Sequence, residues 1–292
     1  MSTSSASSAS SAAPASKASP TTPLAVPGGR PRRGWGWWYV AEHRMANVRS
    51  FWFSLLLIGL GSPFIYVMGL GLGLGVLVDR NQGGQGVDGV PYLVFVTPAL
   101  LLAAVMQAAA NENTYGTFGG FKWSHWYDVQ YQTPIRPWEM ALGSQVGVLL
   151  RNTITTGCYV LVVSLLGIAP WWRVALLLPV AMLLSVAVGF AVMSWVATQE
   201  QDRGQLGFIE RFVTTPLALF SGTYYPLSVL PDPLQWIGWI SPLWHAVELG
   251  RWAMYGAAIP AWLLAAHVAF LALLAAVTGC LSAATFARRL DR

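Results

Sequence analysis

The stretch Phe220–Arg251, FSGTYYPLSVLPDPLQWIGWISPLWHAVELGR, decides how the rest of this chain is interpreted. It opens as an apolar segment, breaks at Pro226, passes through a proline-rich turn and continues into an aromatic segment. Tryptophan favours the headgroup zone of a bilayer, because its ring is apolar while the indole N–H needs a polar partner. Proline and glycine are tolerated at membrane depth where neighbouring helices satisfy the freed backbone groups. We therefore predict a broken membrane span followed by a re-entrant or interfacial hairpin.

The composition indicates a polytopic membrane protein. The 292 residues are 55% hydrophobic and only 10% charged, whereas soluble globular domains carry about 25% charged residues. The mean hydropathy is +0.51. The net charge of +5 does not indicate nucleic-acid binding, because the basic residues lie mainly at the ends of apolar runs, where they set topology. Both cysteines lie inside apolar runs, which favours buried small side chains over a disulfide or a metal site.

The chain divides into a tail and a membrane domain. Residues 1–33 are rich in Ser, Ala and Pro and end in a basic run, so we predict a disordered cytoplasmic tail. Residues 34–292 form the predicted membrane domain. Its first segment, Trp35–Arg49, mixes aromatic and charged residues as in an amphipathic helix on the inner membrane face.

Six apolar runs follow, and each is long enough to predict a membrane helix. They cover about Phe51–Val78, Val90–Ala110, Met140–Ile168, Val174–Ala197, Phe208–Pro226 and Ile259–Phe286. The first run contains alternating glycines, Gly69–Gly75, whose four-residue spacing favours close helix packing over a phosphate-binding loop. The predicted fold is therefore an all-α polytopic membrane protein with six transmembrane helices.

Lysines and arginines are distributed unevenly between the two predicted sides. Both termini and the loops after the second and fourth runs carry most of them, and the opposite loops hold only Arg80, Arg173 and Arg251. Cytoplasmic segments carry the excess of basic residues in membrane proteins. The distribution thus predicts two cytoplasmic termini, and it places the hairpin after Pro226 on the outer face.

Two ionisable residues lie at or inside the predicted spans. Glu112 is either an intramembrane carboxylate, which would indicate a functional site, or an interfacial cap. Arg151 lies within the third apolar run, where it snorkels inward, lines a polar cavity or pairs with a carboxylate such as Glu112.

The segment Phe121–Glu139 is aromatic, amphipathic and interrupted by prolines, which is typical of a chain lying on a surface. In a short helix there, Tyr127 and Tyr131 are four residues apart and share a face, while Trp126 lies on the adjoining one. Its aromatic content favours a docking surface over a plain connecting loop.

These features together resemble the membrane subunits of type-2 ATP-binding-cassette (ABC) transporters, and most of all the permeases of nodulation-factor and drug-resistance exporters. The resemblance covers about Trp35 to the C terminus, and the order and spacing of several segments carry it. The segments are Gly69–Gly75, Glu112–Phe118, Thr133–Ile135, Phe220–Pro226, Leu230-Pro231, Ser241–His245 and Glu248–Arg251.

The resemblance implies a six-span subunit of the bacterial plasma (inner) membrane, surrounded by lipid and paired with a second copy of itself or with a similar permease. It implies export of an amphipathic cargo, such as a drug, a glycolipid or a lipid-linked saccharide, and the drug branch implies antibiotic resistance. A separate cytoplasmic ABC ATPase subunit would bind the ATP, so no cofactor or metal is expected in this chain. The chain itself contains no G-x-x-x-x-G-K-[ST] phosphate-binding loop.

Candidate residues fall into three regions under this interpretation. The ATPase-coupling helix would comprise Trp126, Tyr127, Asp128, Tyr131, Thr133 and Pro134. The transport pathway would involve Glu112, Arg151, Phe220, Tyr224 and Tyr225. The external hairpin would present Trp236, Trp239, His245, Glu248 and Arg251.

Two other classes stay open as alternatives. A membrane enzyme or haem protein would need histidines that converge, and the four histidines are expected at separate depths: His43, His125, His245 and His267. A passive channel or secondary transporter often has discontinuous helices in both halves, whereas the sequence shows a single broken segment.

Overall fold

Helices account for most of the chain that a computed structural model describes, which is residues 35–50, 52–81 and 86–291. The predicted tail, residues 1–33, lies outside the described residues. Within them, the only extended pairing is an isolated bridge between Val87 and Val90. A helix satisfies its backbone hydrogen bonds within its own segment, as a lipid environment requires. The predicted all-α fold is confirmed.

The helices alternate between long membrane-length segments and short connecting ones. In chain order they are α1 Gly36–Ser50, α2 Trp52–Tyr66, a π-helical turn Val67–Leu74, α3 Gly75–Asn81, α4 Tyr92–Lys122, α5 Trp126–Tyr131, α6 Pro137–Leu165, α7 Trp171–Ala175, α8 Leu177–Val196, α9 Gln205–Phe208, a π-helical turn Ile209–Thr214, α10 Thr215–Phe220, a 3-10 turn Leu227–Val229, α11 Asp232–Ile240, α12 Pro242–Tyr255 and α13 Ala261–Leu290.

Five helical segments among the described residues are long and apolar enough to cross a membrane. They are Phe64–Asn81, Tyr92–Lys122, Pro137–Leu165, Trp171–Val196 and Ala261–Leu290. The remaining predicted span, 208–226, corresponds to the helical segment from Gln205 to Phe220. At 1.5 Å per residue this segment is about 24 Å long, shorter than the roughly 30 Å of a hydrocarbon core.

The helix of the broken span ends at Phe220, so the predicted break at Pro226 was placed too late. Gly222 adopts a φ of +73°, a left-handed conformation that glycine enters without steric cost. The Ser221 hydroxyl donates to the Ser241 hydroxyl at 2.6 Å. Ser241 in turn caps α12 by accepting the Leu243 N–H at 3.2 Å. Left-handed backbone and a side-chain bond to the next helix therefore stop this helix before the proline is reached.

The predicted hairpin consists of two helices with different surroundings. On α11, Trp236 and Trp239 are each 54% exposed. Helix α12 instead packs among α4, α8 and α13, and its Gly250 permits a close approach. A Cβ at that position would lie 2.8 Å from Leu102 and 3.3 Å from Pro98. With a length of about 21 Å, α12 is too short to cross a hydrocarbon core of roughly 30 Å and has the length expected of a re-entrant half-span.

Helix α1 runs alongside the first half of α6 in the same direction. The Gly36 N–H donates to Glu139 at 3.2 Å, and eight residues further along, Arg44 lies against Gly147. Between them, a Cβ at Gly143 would lie 2.3 Å from the Trp37 carbonyl oxygen, so only glycine fits there. The predicted interfacial helix is therefore fixed to the helix bundle and does not lie apart from it.

Buried polar side chains connect α4, α6 and α8 to one another. Ser185 on α8 accepts hydrogen bonds from two residues of α6: its carbonyl from Gln145 at 3.0 Å and its hydroxyl from Asn152 at 2.8 Å. Tyr159 of α6 donates to the Thr97 carbonyl of α4 at 2.7 Å. Hydrogen bonds of this kind hold helices together in lipid, where apolar burial gives little drive for helix association.

Candidate coupling and transport sites

Helix α5 is anchored to the membrane helices by one fully buried side chain, Tyr127. Its hydroxyl is 2.9 Å from the Ser144 hydroxyl of α6. Its ring lies 4.6 Å from the ring of Phe121 and 5.0 Å from that of Phe286, between centroids. Aromatic pairs at these separations add to the energy of burial. Tyr127 therefore fixes α5 against α4, α6 and α13.

Tyr131, predicted to share a face with Tyr127, lies at the edge of that contact. It is 41% exposed, and its hydroxyl donates to the Asp291 carboxylate at 2.7 Å. This hydrogen bond raises the pKa of the Tyr131 phenol above its ordinary value. The pair of tyrosines thus points toward the protein, and Trp126 stacks beside them on Tyr127.

The opposite face of α5 is exposed to solvent. It carries Asp128 and Val129, and the turn that follows the helix, Gln132, Thr133 and Pro134, is exposed as well. His125 precedes the helix in a left-handed conformation with φ 51°, and its Nδ1 lies 2.9 Å from the Asp128 carboxylate. One face of this short helix is therefore packed against the protein, and its opposite face, called the outer face of α5 below, is exposed to solvent.

Glu112 and Arg151 form an ion pair between α4 and α6, as one of the sequence alternatives predicted. Both side chains keep part of their surface exposed, 28% for Glu112 and 36% for Arg151. The pair therefore lies at the margin of the bundle.

On the other side of the molecule, Arg251 is almost completely buried beneath the hairpin. It donates to Glu248 at 3.0 Å and to the Gly222 carbonyl at 2.6 Å. Its guanidinium lies 3.9 Å from the centre of the Phe95 ring, a cation–π contact. Arg251 thus links α12, the break after α10 and the start of α4.

The expectation that the histidines stay apart was wrong for one pair. His245 and His267 approach with their Nδ1 atoms 2.7 Å apart. The His245 Nε2–H donates to the Trp239 carbonyl at 3.0 Å, so the bond between the rings is a donation from His267 Nδ1–H. Helix α12 packs against α13 and brings His245, predicted outside, next to His267, predicted inside the membrane.

The three remaining pathway candidates lie in or beside the break, far from the ion pair. The Tyr224 carbonyl accepts from the Tyr92 hydroxyl at 3.1 Å, and the Tyr225 hydroxyl donates to the Leu219 carbonyl next to Phe220 at 2.9 Å. Tyr92 and Glu112 are twenty residues apart on α4, which is roughly 30 Å along the helix. The structure therefore gives two separate candidate regions, one at the start of α4 and one in its second half.

Comparison with known proteins agrees with this architecture. The sequence model of the ABC-2 type transporter family matches residues 37–255. The chain belongs to this family. It is 28% identical over 261 residues to Nodulation protein J of Rhizobium meliloti (strain 1021), covering 89% of this chain and 96% of that protein. It is 29% identical over 269 residues to Nodulation protein J of Rhizobium leguminosarum bv. trifolii, covering 92% and 97%.

A more distant relative carries a transport name. The Inner membrane transport permease YadH of Escherichia coli (strain K12) is 24% identical over 223 residues, covering 75% of this chain and 81% of that protein. The ABC-2 resemblance predicted from the sequence is confirmed. The matched region contains all the candidate residues of this ABC-2 type chain, while His267 and Phe286 lie beyond it.

The sequence did not point to several residues that shape these regions of the ABC-2 type chain. Phe95 and Tyr92 support the broken segment from α4, and Phe286 supports α5 from the last helix. Each is one of many aromatic residues in this membrane protein, so the residue type alone does not indicate a special position. Only their spatial neighbours distinguish them.

Proposed function

We propose that this chain is the permease subunit of an ABC exporter, driven by a separate cytoplasmic ATPase subunit that docks on the outer face of α5. Family membership favours transport over the membrane-enzyme alternative. The observation that carries the proposal is the two-sided environment of α5, with Tyr127 fully buried and Val129 62% exposed. A helix built this way transmits a push on its outer face to α4, α6 and α13.

The proposal gives each candidate region a role. Asp128 on the exposed face of α5 contacts the ATPase together with Thr133 and Pro134 in the turn after the helix, while Trp126, Tyr127 and Tyr131 hold the helix in position. Glu112 and Arg151 lie where an amphipathic cargo enters from the inner side. Phe220, Tyr224 and Tyr225 line its outer exit, which the hairpin from Trp236 to Arg251 covers.

A second copy of the chain, or a similar permease, completes the pathway in this proposal. Gly69 and Gly73 support it, because a Cβ at either position meets no described atom within 4 Å. Glycines four residues apart on an open helix face allow another helix to approach closely. The plasma (inner) membrane, with both termini in the cytoplasm, is the proposed location, and the relatives' names leave the cargo open among drug, glycolipid and lipid-linked saccharide.

The change Val129→Asp tests the docking role of α5. It places a charge on the exposed face, two residues from buried Tyr127, so the permease should still fold. Interface residues of this kind cost about 2 kcal/mol when disrupted, so retention of the ATPase should fall roughly thirtyfold. The measurement is ATP hydrolysis in the eluate after affinity purification of the tagged permease from membranes of its own host.

The matched control is Val229→Asp, the same change at a residue that is 70% exposed beside the outer hairpin. It should leave the co-purified hydrolysis unchanged. Size-exclusion profiles of both variants check folding. Full retention of hydrolysis by Val129→Asp would move the docking surface away from α5.

A further inference from the structure

A groove of about 450 Å³ lies where α1, the inner end of α4 and α5 meet. Helix α1 contributes His43 and Arg44, and Trp126 closes the groove from α5. The wall from α4 consists of Tyr115 and three glycines, Gly116, Gly119 and Gly120, at which the backbone is exposed to close contact. The side chains of Arg44, Trp123, Trp126 and Tyr127 pack directly against these glycines, and no carboxylate side chain belongs to the described lining of the groove.

Arg44 lines this groove, and its guanidinium takes part in none of the ion pairs found among the described residues. Its Nη2 is buried and has no hydrogen-bond acceptor among the described residues. Its centre lies 5.7 Å from the Trp126 ring. Glu112, one turn away from Gly116 on α4, is already paired with Arg151. A buried donor of a charged group is costly to leave unpaired, so the groove suits an anion.

Gly116 is what makes room for the guanidinium. A Cβ at this position would lie 2.7 Å from both terminal nitrogens of Arg44. Next to the guanidinium, the His43 ring lies 5.2 Å from that of Trp126, between centroids, and adds a second nitrogen donor at the groove. Planar guanidinium and imidazole donors on one side of a cleft match the oxygens of a phosphate group.

The depth of the groove indicates the source of that phosphate. Helix α4 is 31 residues long, or about 46 Å, which exceeds the roughly 30 Å of a hydrocarbon core. Gly116 lies six residues from its inner end, about 9 Å, which places it at the boundary between the hydrocarbon core and the headgroups when the excess length is shared equally by the two ends. Nearby Trp35 and Trp123 are each 64% exposed, as expected of tryptophans in a headgroup belt.

We infer that this groove binds the phosphate of an anionic membrane lipid, with Arg44 as its principal donor. The acyl chains would lie along the exposed apolar surface next to α1. The site requires neither the ATPase nor a cargo, so it stands apart from the proposed transport role. It gives the inner end of the bundle, where α1, α4 and α5 meet, a lipid as a structural component.

The experiment measures lipid retention by the purified full-length chain with native mass spectrometry. Dioleoylphosphatidylglycerol is compared with dioleoylphosphatidylcholine for the unaltered protein and for Arg44→Gln. The variant should retain phosphatidylglycerol about tenfold less well and phosphatidylcholine equally well. Arg203→Gln, which removes the same charge from an exposed loop, should change neither.

Gly116→Ala separates geometry from charge. It keeps every charge but displaces the guanidinium, so it should weaken phosphatidylglycerol retention as well. Melting temperatures of all variants verify that the protein is folded, and Arg44→Lys provides a variant of unchanged charge should the glutamine variant unfold. Equal phosphatidylglycerol retention by the folded Arg44 and Gly116 variants would overturn the inference.

Two further arms identify the source of the anion. Inorganic phosphate in large molar excess should not displace the bound lipid, and displacement would show a site for the free ion instead. Loss of co-purified ATP hydrolysis in Arg44→Gln, with lipid retention unchanged, would assign the groove to a carboxylate of the ATPase and would also overturn the inference.

Discussion

The ion pair of Glu112 and Arg151 joins two long helices while both side chains stay partly accessible. At such a position the attraction is weakened by water, and the pair adds little net stability. Replacement of one partner would destabilise the protein in a different way, because the other charge would be left unpaired at the margin of the hydrocarbon core. A pair of this kind can open and re-form without great cost, as the proposed cargo entrance requires.

A double-mutant cycle tests this residue-scale view. Arg151→Leu and Glu112→Gln should each lower the melting temperature, and the double variant should lose less than the sum of the two. The coupling free energy should be about 1 kcal/mol, the range for contacting residues discounted for exposure. Thermal unfolding in detergent gives the stabilities, and cargo export in cells gives the activities.

The two readouts separate structure from transport. If Arg151→Leu left both expression and export unchanged, the pair would have no part in the pathway. A charge-reversed pair, Glu112→Arg with Arg151→Glu, serves as the control, because it restores the attraction with opposite polarity.

The residues differ in how far the sequence could predict them. Glu112 and Arg151 were paired correctly because charges are rare in apolar runs, so opposite charges at one depth have few partners to choose from. Arg44 gave no such signal, since it is one of several arginines before the first span. The contact of His245 with His267 was missed because depth was inferred from hydropathy along the chain, and a half-span such as α12 does not follow it.

At the scale of elements, the broken segment behaves as one unit tied together by Arg251. From α12, its guanidinium donates to Glu248 on the same helix and to the Gly222 carbonyl at the break, and it lies over the Phe95 ring of α4. The sequence predicted that a break and a hairpin exist here, because prolines and tryptophans mark them. The residue at which the helix ends could not be predicted, because it depends on the backbone conformation of Gly222 and on the hydrogen bond between Ser221 and Ser241, which no residue pattern indicates.

Arg251→Met should therefore loosen the whole outer segment. The change leaves the Glu248 carboxylate without its cation and the Gly222 carbonyl without its donor, a loss of about 3–5 kcal/mol for a buried pair. Melting temperature should fall, and limited proteolysis should cut within Leu227–Asp232 more readily. The double variant with Glu248→Gln should regain part of the loss, because no unpaired charge remains.

An exposed arginine on the same predicted side gives the control for this prediction. Arg80→Met, at the end of α3, should change neither the melting temperature nor the cleavage. A melting temperature for Arg251→Met equal to that of the control would mean that the contacts of Arg251 do not hold the outer segment.

For the whole molecule, charge asymmetry predicts which end faces the cytoplasm. The basic residues near α5 and at the C-terminal end of α13 lie on one side, together with the inner end of α4. The hydrogen bond from Tyr131 to Asp291 supports this grouping, since it joins α5 directly to the residue that follows α13. The outer hairpin, at the other end of α4, contains few basic residues.

Single cysteines at two exposed aspartates test this orientation. Asp128 lies on α5 and Asp232 begins α11, and both side chains are exposed. In a background with Cys158 and Cys280 replaced by Ala, Asp232→Cys should react with a membrane-impermeant maleimide in intact cells, because a thiol on the outer face meets the reagent directly. Asp128→Cys should react only after the membrane is permeabilised. Labelling in lysed cells provides the control that both thiols are reactive, and the reverse pattern in intact cells would place α5 outside and remove its surface from any cytoplasmic ATPase.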